Sequence, residues 1–387
     1  MNLQFEMSEY RDRLAAVRAR MAEEGLDALI AYSNAKIQAN VRYLTSYYTR
    51  FAGAQHTASG YYTAGACAVL ILPHGDPITR TDLPWDVIRA KQMSVYDDTD
   101  YTDAIGRDLG AIAARAGSTR IGIDSWSVFP ARDYLDLVAA VPNAQIVGSQ
   151  ALAQVRRVKS PTELALLERA EQIADLAVQA GMDAVRVGGT EYEAALVAEM
   201  KLRELGDMET GGGSIISAGP NSSTGSSLPE RDRKIKAGEW VLFDVLPRFG
   251  GYCGDIARMR LAGDMADLEP RLRHLHEATV LMNREVIALI KPGVTPSELN
   301  ARAVEVATQE GVLEYKIPLV GHGVGLDIHD LPDYYWDDTP LKAGEVFTVE
   351  PCLLIDGVAG TRIEDVVVVT ETGVRVLSGT ERGLTPA

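Results

Sequence analysis

The sequence predicts an α/β chain in two parts, a smaller domain of alternating helices and strands followed by a larger α+β domain built as an internal repeat. Three observations predict it. At 387 residues the chain is long for one domain and ordinary for two. Short apolar runs alternate with helical patterns in its first part. In its second part, helix-start signatures recur at a fixed distance from acidic residues set in apolar strands.

The elements follow in order. A helix is predicted over 8–24, with Leu14, Val17 and Met21 on one face and Gly25 at the left-handed position that ends it. The apolar run 26–32 reads as a strand. So do 66–72, stopped by Pro73, and 120–123, with a helical pattern over 103–116 between them. A boundary falls near residue 158, giving domains 1–157 and 158–387. There Ser160, Pro161 and Glu163 form a capping box that opens a helix running to about Val185.

Two further capping boxes start at Thr190 and Thr295, 105 positions apart. Asp244 lies 54 residues after the first, inside Trp240-Val-Leu-Phe-Asp-Val245. Glu350 lies 55 after the second, closing Val346-Phe-Thr-Val-Glu350. Each half of a repeat thus delivers an acid at the same point.

Composition narrows the function. With 46% hydrophobic and 24% charged residues, the chain can build a full core. Lys plus Arg total 38 against 54 Asp plus Glu, a net charge of −16, which repels phosphate backbones and anionic lipid. Neither nucleic acid nor membrane is an expected partner. Three cysteines cannot complete a disulfide framework, and the N-terminus lacks the features of an export signal, so a cytoplasmic location is expected.

Four acids sit where apolar residues are expected: Asp244, Asp255 after the turn at Gly250-Gly251, Glu350, and Glu364 fourteen residues later. Two hairpin-like pairs would gather them. Buried anions at that density must be protonated or hold cations. Of six histidines, His322 and His329 lie in the glycine-rich run 320–330. Four carboxylates and one imidazole suit a divalent pair of the Mn, Fe, Co or Zn type.

At these residues the chain resembles the pita-bread metallopeptidases: methionine aminopeptidase, Xaa-Pro aminopeptidase, prolidase and the non-peptidase creatinase. The likeness is carried by Gly321-His-Gly-Val-Gly-Leu-Asp-Ile-His329, by Val349-Glu-Pro351 and by Arg362-Ile-Glu-Asp365. It implies a pita-bread catalytic domain with a pseudo-twofold repeat over 158–387, preceded by a creatinase-type N-terminal α/β domain. It also implies two divalent ions. Asp244 would hold one, Asp255 and Glu364 would bridge both, and His322 and Glu350 would hold the second. A metal-bridging hydroxide would attack an amide of a small peptide, most readily an X–Pro bond. Glu350 would shuttle the proton, and His329 would stabilise the intermediate. A homodimer is implied, in which His56 or Tyr47, Tyr48, Tyr61 and Tyr62 would reach a neighbouring subunit's site.

The chain departs from that pattern in three places: Asp330 follows His329 where Glu is common, Leu246 stands two after Asp244 where a small residue is common, and one loop differs most. No histidine occurs over 75–273, and Ser227 stands where relatives carry one. Two other readings follow: a creatinase-like C–N hydrolase or lyase of a small amide or other metabolite, and a peptide-binding descendant without catalysis. Arg258 and Arg362 read as salt-bridge partners of the acids. Cys253 and Cys352 read as small buried residues on the metal side, and His274 and His276 as helix-face residues.

Overall fold

A six-stranded mixed sheet forms the heart of the first unit, Met1–Arg156. The computed structural model describes residues 5–51, 53–57, 60–206, 213–333 and 337–387. The strand order in this sheet is Thr99–Tyr101, Ile78–Thr81, Ala66–Ile71, Ala28–Asn34, Arg120–Asp124, Gln145–Ser149. Ala28–Asn34 is central, antiparallel to Ala66–Ile71 and parallel to Arg120–Asp124. It is buried along almost its whole length, which explains why it reads as an unbroken apolar run rather than an alternating one. The helices Ile105–Arg115 and Ala131–Ala140 add Leu109 and Leu137 to a core with Ile30, Leu70 and Ile123. Gly106 lets them approach closely, since a Cβ there would lie 1.8 Å from the Asp133 carbonyl oxygen. The first helix, Met7–Glu23, ends at Gly25 with φ +66°, the left-handed residue the sequence predicts.

The second unit, Arg157–Ala387, is a repeat of one α–α–β plan. Its first half has helices Pro161–Asp183 and Glu191–Glu204, then strands Trp240–Val245 and Ile256–Leu261 around the short pair Arg248–Phe249 and Tyr252–Cys253. Its second half has helices Pro270–Leu289 and Pro296–Gln309, then strands Val346–Val349 and Asp365–Val369 around the pair Cys352–Ile355 and Ala359–Arg362. This is the pita-bread plan with its pseudo-twofold repeat. All three predicted capping boxes form, with Ser160, Thr190 and Thr295 each accepting from the N–H of the glutamate three residues on. Each such cap stabilises its helix by about 1 kcal/mol.

The helices of the first half pack on its own strands, whereas those of the second half pack on strands of both halves, including Trp240, Leu242 and Met259. Ile173, Val178, Ala198, Val241 and Phe243 share one core, and Met282, Val286, Leu299, Phe347 and Val367 share the other. No helix of the described residues is long and apolar enough to cross a membrane.

Candidate metal centre

Sheet register brings the acids together. In the antiparallel pair of Trp240–Val245 with Ile256–Leu261, Asp244 stands opposite Ala257. Ala257 also bridges to Glu364, whose N–H donates to the Ala257 carbonyl oxygen at 3.1 Å. This is where the two halves of the unit join. Asp255 directly precedes Ile256, so it arrives at the same place. In the second half Val349 stands opposite Asp365, which puts Glu350 and Glu364 on the next rung.

His322 is anchored to the same strand end. Its carbonyl oxygen accepts the Thr348 N–H at 2.7 Å, and its own N–H donates to Thr348 Oγ1 at 3.1 Å. The flanking glycines permit this approach. A Cβ at Gly321 would lie 2.0 Å from the Thr348 carbonyl oxygen, and one at Gly323 would lie 2.4 Å from the Leu331 carbonyl carbon. His322 Nδ1 is 3.1 Å from the Gly323 carbonyl oxygen. That oxygen can only accept, so Nδ1 carries the proton and Nε2 presents a lone pair. Nε2 lies 3.5 Å from Asp255 Oδ2 and 3.4 Å from Glu350 Oε1. The His329 ring packs on that of His322, with centroids 3.9 Å apart.

Asp255, His322 and Glu364 each offer a ligand atom within 4.8 Å of one another. Asp244 and Glu350 are drawn toward Arg362 instead. Arg362 Nη1 donates to Asp244 Oδ2, Nη2 donates to the Gly225 carbonyl oxygen at 3.1 Å, and Nε lies 3.8 Å from Glu350 Oε2. Arg258 pairs elsewhere, with Asp365 Oδ1 at 2.7 Å.

The electrostatics of the cluster fit divalent cations. Burial raises the Asp244 carboxyl to about 6 even against the pull of Arg362. Burial, then the charge of neighbouring acids, pushes Asp255 and Glu364 well above the usual carboxylate range. Burial also raises Glu350, against Arg362. One guanidinium cannot neutralise three buried acids and a fourth, Glu350, that is nearly so. Asp244 Oδ1 and Glu364 Oε1 are buried without a hydrogen-bond partner among the described residues, a costly state that a cation relieves. Burial lowers His322 to about 4 and, with the His322 charge, lowers His329, so both imidazoles are neutral at pH 7. Oxygen-rich donors with one neutral imidazole match the chemistry of such ions.

Chain similarity decides the family. The model of metallopeptidase family M24 matches residues 165–371, which is more than half of the chain, and that of the creatinase/prolidase N-terminal domain matches residues 13–159. The chain belongs to metallopeptidase family M24. Among family members, an Xaa-Pro dipeptidase of Pyrococcus furiosus is 33% identical over 234 residues, 60% of this chain and 66% of that protein, just under two thirds of its length. An Xaa-Pro dipeptidase of Pyrococcus horikoshii is 27% identical over 366 residues, 94% of this chain and 96% of that protein. The crystal structure of dipeptidase PepE from Mycobacterium ulcerans superposes with a TM-score of 0.84 at 26% identity, covering 99% of each chain.

The loop that departs from the family pattern is held firmly. Glu191 is fully buried, and its carboxylate accepts from the Ala218 N–H at 2.6 Å, the Glu230 N–H at 2.8 Å and the Asn221 amide. Ser227 Oγ donates to the Asn221 carbonyl oxygen at 3.0 Å. The sequence reading passed over Glu191 and another fully buried acid, Glu171. The available signal was position: Glu171 falls on the stripe of Leu167, Ala170 and Ala174, where a core-facing helix wants apolar residues.

Other expectations have mixed outcomes. His276 is not a helix-surface residue; it is buried, with Nδ1 3.2 Å from Thr361 Oγ1, while His274 is exposed. Tyr47 is fully buried and its O–H donates to Asp86 Oδ2 at 2.8 Å, so it is committed within its own unit. The Tyr48 ring carries the Arg42 guanidinium 3.8 Å above it. The side chains of His56, Tyr61 and Tyr62 lie outside the described residues. Cys253 and Cys352 are free and buried, and burial pushes the Cys253 thiol up to about 11.

Proposed function

We propose that this chain hydrolyses small peptides at X–Pro bonds, using two divalent ions held by Asp244, Asp255, His322, Glu350 and Glu364. The hydrolytic domain spans 158–387 and the creatinase-type domain spans 1–157. The observation that carries the proposal is the meeting of Asp255, Glu364 and Glu350 at the lone-pair-bearing His322 imidazole, with Asp244 beside them on Arg362 and one oxygen each of Asp244 and Glu364 lacking a hydrogen-bond partner among the described residues. Relatives named Xaa-Pro dipeptidase support the substrate class.

When bound, a divalent pair supplies Lewis-acid polarisation of the scissile carbonyl and a lowered pKa for the attacking water. The protein's groups do the rest. Glu350, raised by burial, accepts the proton from water at a carboxylate oxygen and returns it to the leaving nitrogen. Neutral His329 donates an N–H to the developing oxyanion. Arg362 now holds Asp244 and the Gly225 carbonyl oxygen, and would have to release Asp244 for that carboxylate to hold an ion. A homodimer is part of the same proposal.

A second reading is favoured by the loop. A serine hydroxyl bonded to its own loop, at Ser227, offers a substrate much less than an imidazole does. A creatinase-like action on a small non-peptide amide is the reading this loop supports. A panel of X–Pro dipeptides assayed with added manganese or cobalt separates the two. The expected result is metal-dependent turnover, abolished by chelator and restored by the ion. Intact metal binding with no peptide turned over contradicts peptidase action and favours the small amide.

A further inference from the structure

Behind the acid cluster lies a fifth carboxyl group, one held by hydrogen bonds rather than by packing alone. Glu171 is 0% exposed, within the helix Pro161–Asp183. Its two oxygens are divided between two partners. Oε2 accepts the Asp255 N–H at 3.0 Å, and Oε1 accepts the Ser378 O–H at 2.5 Å. The backbone beside Asp255 is pressed against the same helix, for a Cβ at Gly254 would lie 2.8 Å from the Ala170 carbonyl oxygen and 3.1 Å from the Glu171 nitrogen.

The Ser378 end leads to the other half of the site. Asp175, one turn along the helix, accepts the Gly379 and Thr380 N–H groups at 2.8 Å and the Thr380 O–H at 2.7 Å. The Thr380 carbonyl oxygen accepts Arg258 Nε at 2.8 Å, and Arg258 Nη1 donates to the Glu364 carbonyl oxygen at 2.6 Å. One bonded frame therefore runs from Asp255 through Glu171, segment 378–380 and Arg258 to Glu364. A buried acid is costly at this helix position, and here its burial is offset by the Asp255 N–H and the Ser378 O–H that it accepts.

We propose that Glu171 is a positioning residue of the metal centre. It fixes the backbone of Asp255 and ties it, through segment 378–380 and Arg258, to that of Glu364, so that both acids meet the cations from one rigid frame. The inference rests on the dinuclear reading above.

Cobalt(II) titration of the full chain after chelator treatment, followed by visible absorption, tests it. Wild type is expected to saturate at two ions. Glu171→Met, which keeps the volume and removes both acceptors, is expected to weaken cobalt binding by ~10–100-fold and to shift the ligand-field bands. Glu171→Gln keeps an acceptor for Asp255 and a donor for Ser378, and restores binding and spectrum. Leu167→Ala, a core truncation on the same helix, lowers the melting temperature without moving either readout. Should Glu171→Met fail to fold, Ser378→Ala is read in its place and is expected to weaken binding. A wild-type chain that takes up no cobalt overturns the metal reading and this inference together. A wild-type chain that saturates while Glu171→Met, or in its place Ser378→Ala, binds with the same affinity and spectrum overturns this inference alone.

Discussion

On the helix Pro270–Leu289, His276 is 3% exposed, and burial lowers its pKa to about 4 from the ordinary 6.5. Between those values the unfolded chain binds more protons than the folded one. The contribution to stability is complete above pH 6.5 and is lost as pH falls toward 4, by up to about 3 kcal/mol. Denaturant unfolding in chelator at pH 7, 5.5 and 4.5 is expected to show His276→Gln losing less stability than wild type across that range. Parallel losses would contradict the assignment. At this scale the sequence is only partly legible. The acids stand out because they interrupt apolar strands, and His322 because glycines flank it. His276 and Glu171 were missed or misplaced because a helical pattern shows which face is apolar, not which polar residue has a partner on that face.

Local elements were more readable. The capping boxes at Ser160, Thr190 and Thr295 are complete within four residues, so their chemistry can be read without knowing the fold. The bridge between Ala257 and Glu364 spans more than a hundred residues and has no local signature. The strand Val346–Val349 and the loop at His322 form one element of the site, and Gly321 is the residue that lets them touch. Gly321→Ala forces a Cβ onto the Thr348 carbonyl oxygen. It is expected to cost about 1–3 kcal/mol of stability and to weaken metal binding as His322 shifts. Calorimetric unfolding and metal titration check both. Unchanged values in both would show that the glycine is not needed there.

For the whole chain, the alternation of the first part and the repeat of the second are sequence patterns, and the fold follows them. The bridge that joins acids from the two half-repeats lay beyond the sequence, and on the proposed reading cations balance their charge. Linkage makes that balance measurable: manganese at 100 times its dissociation constant adds about 2.7 kcal/mol to the state that binds it. Hydrogen exchange is expected to slow on manganese addition in strands Trp240–Val245 and Asp365–Val369, with Ala28–Asn34 in the first unit unchanged. Uniform slowing across both units, or none, would contradict a metal centre confined to the second.

The central claim is that acids from both halves of the repeat and the His322 imidazole hold a pair of cations. Anomalous diffraction from crystals of the full chain soaked in manganese tests it most directly. The account predicts two anomalous peaks among Asp244, Asp255, His322, Glu350 and Glu364, with Arg362 withdrawn from Asp244. An absence of peaks at these side chains, with Arg362 still bound to Asp244, would contradict it.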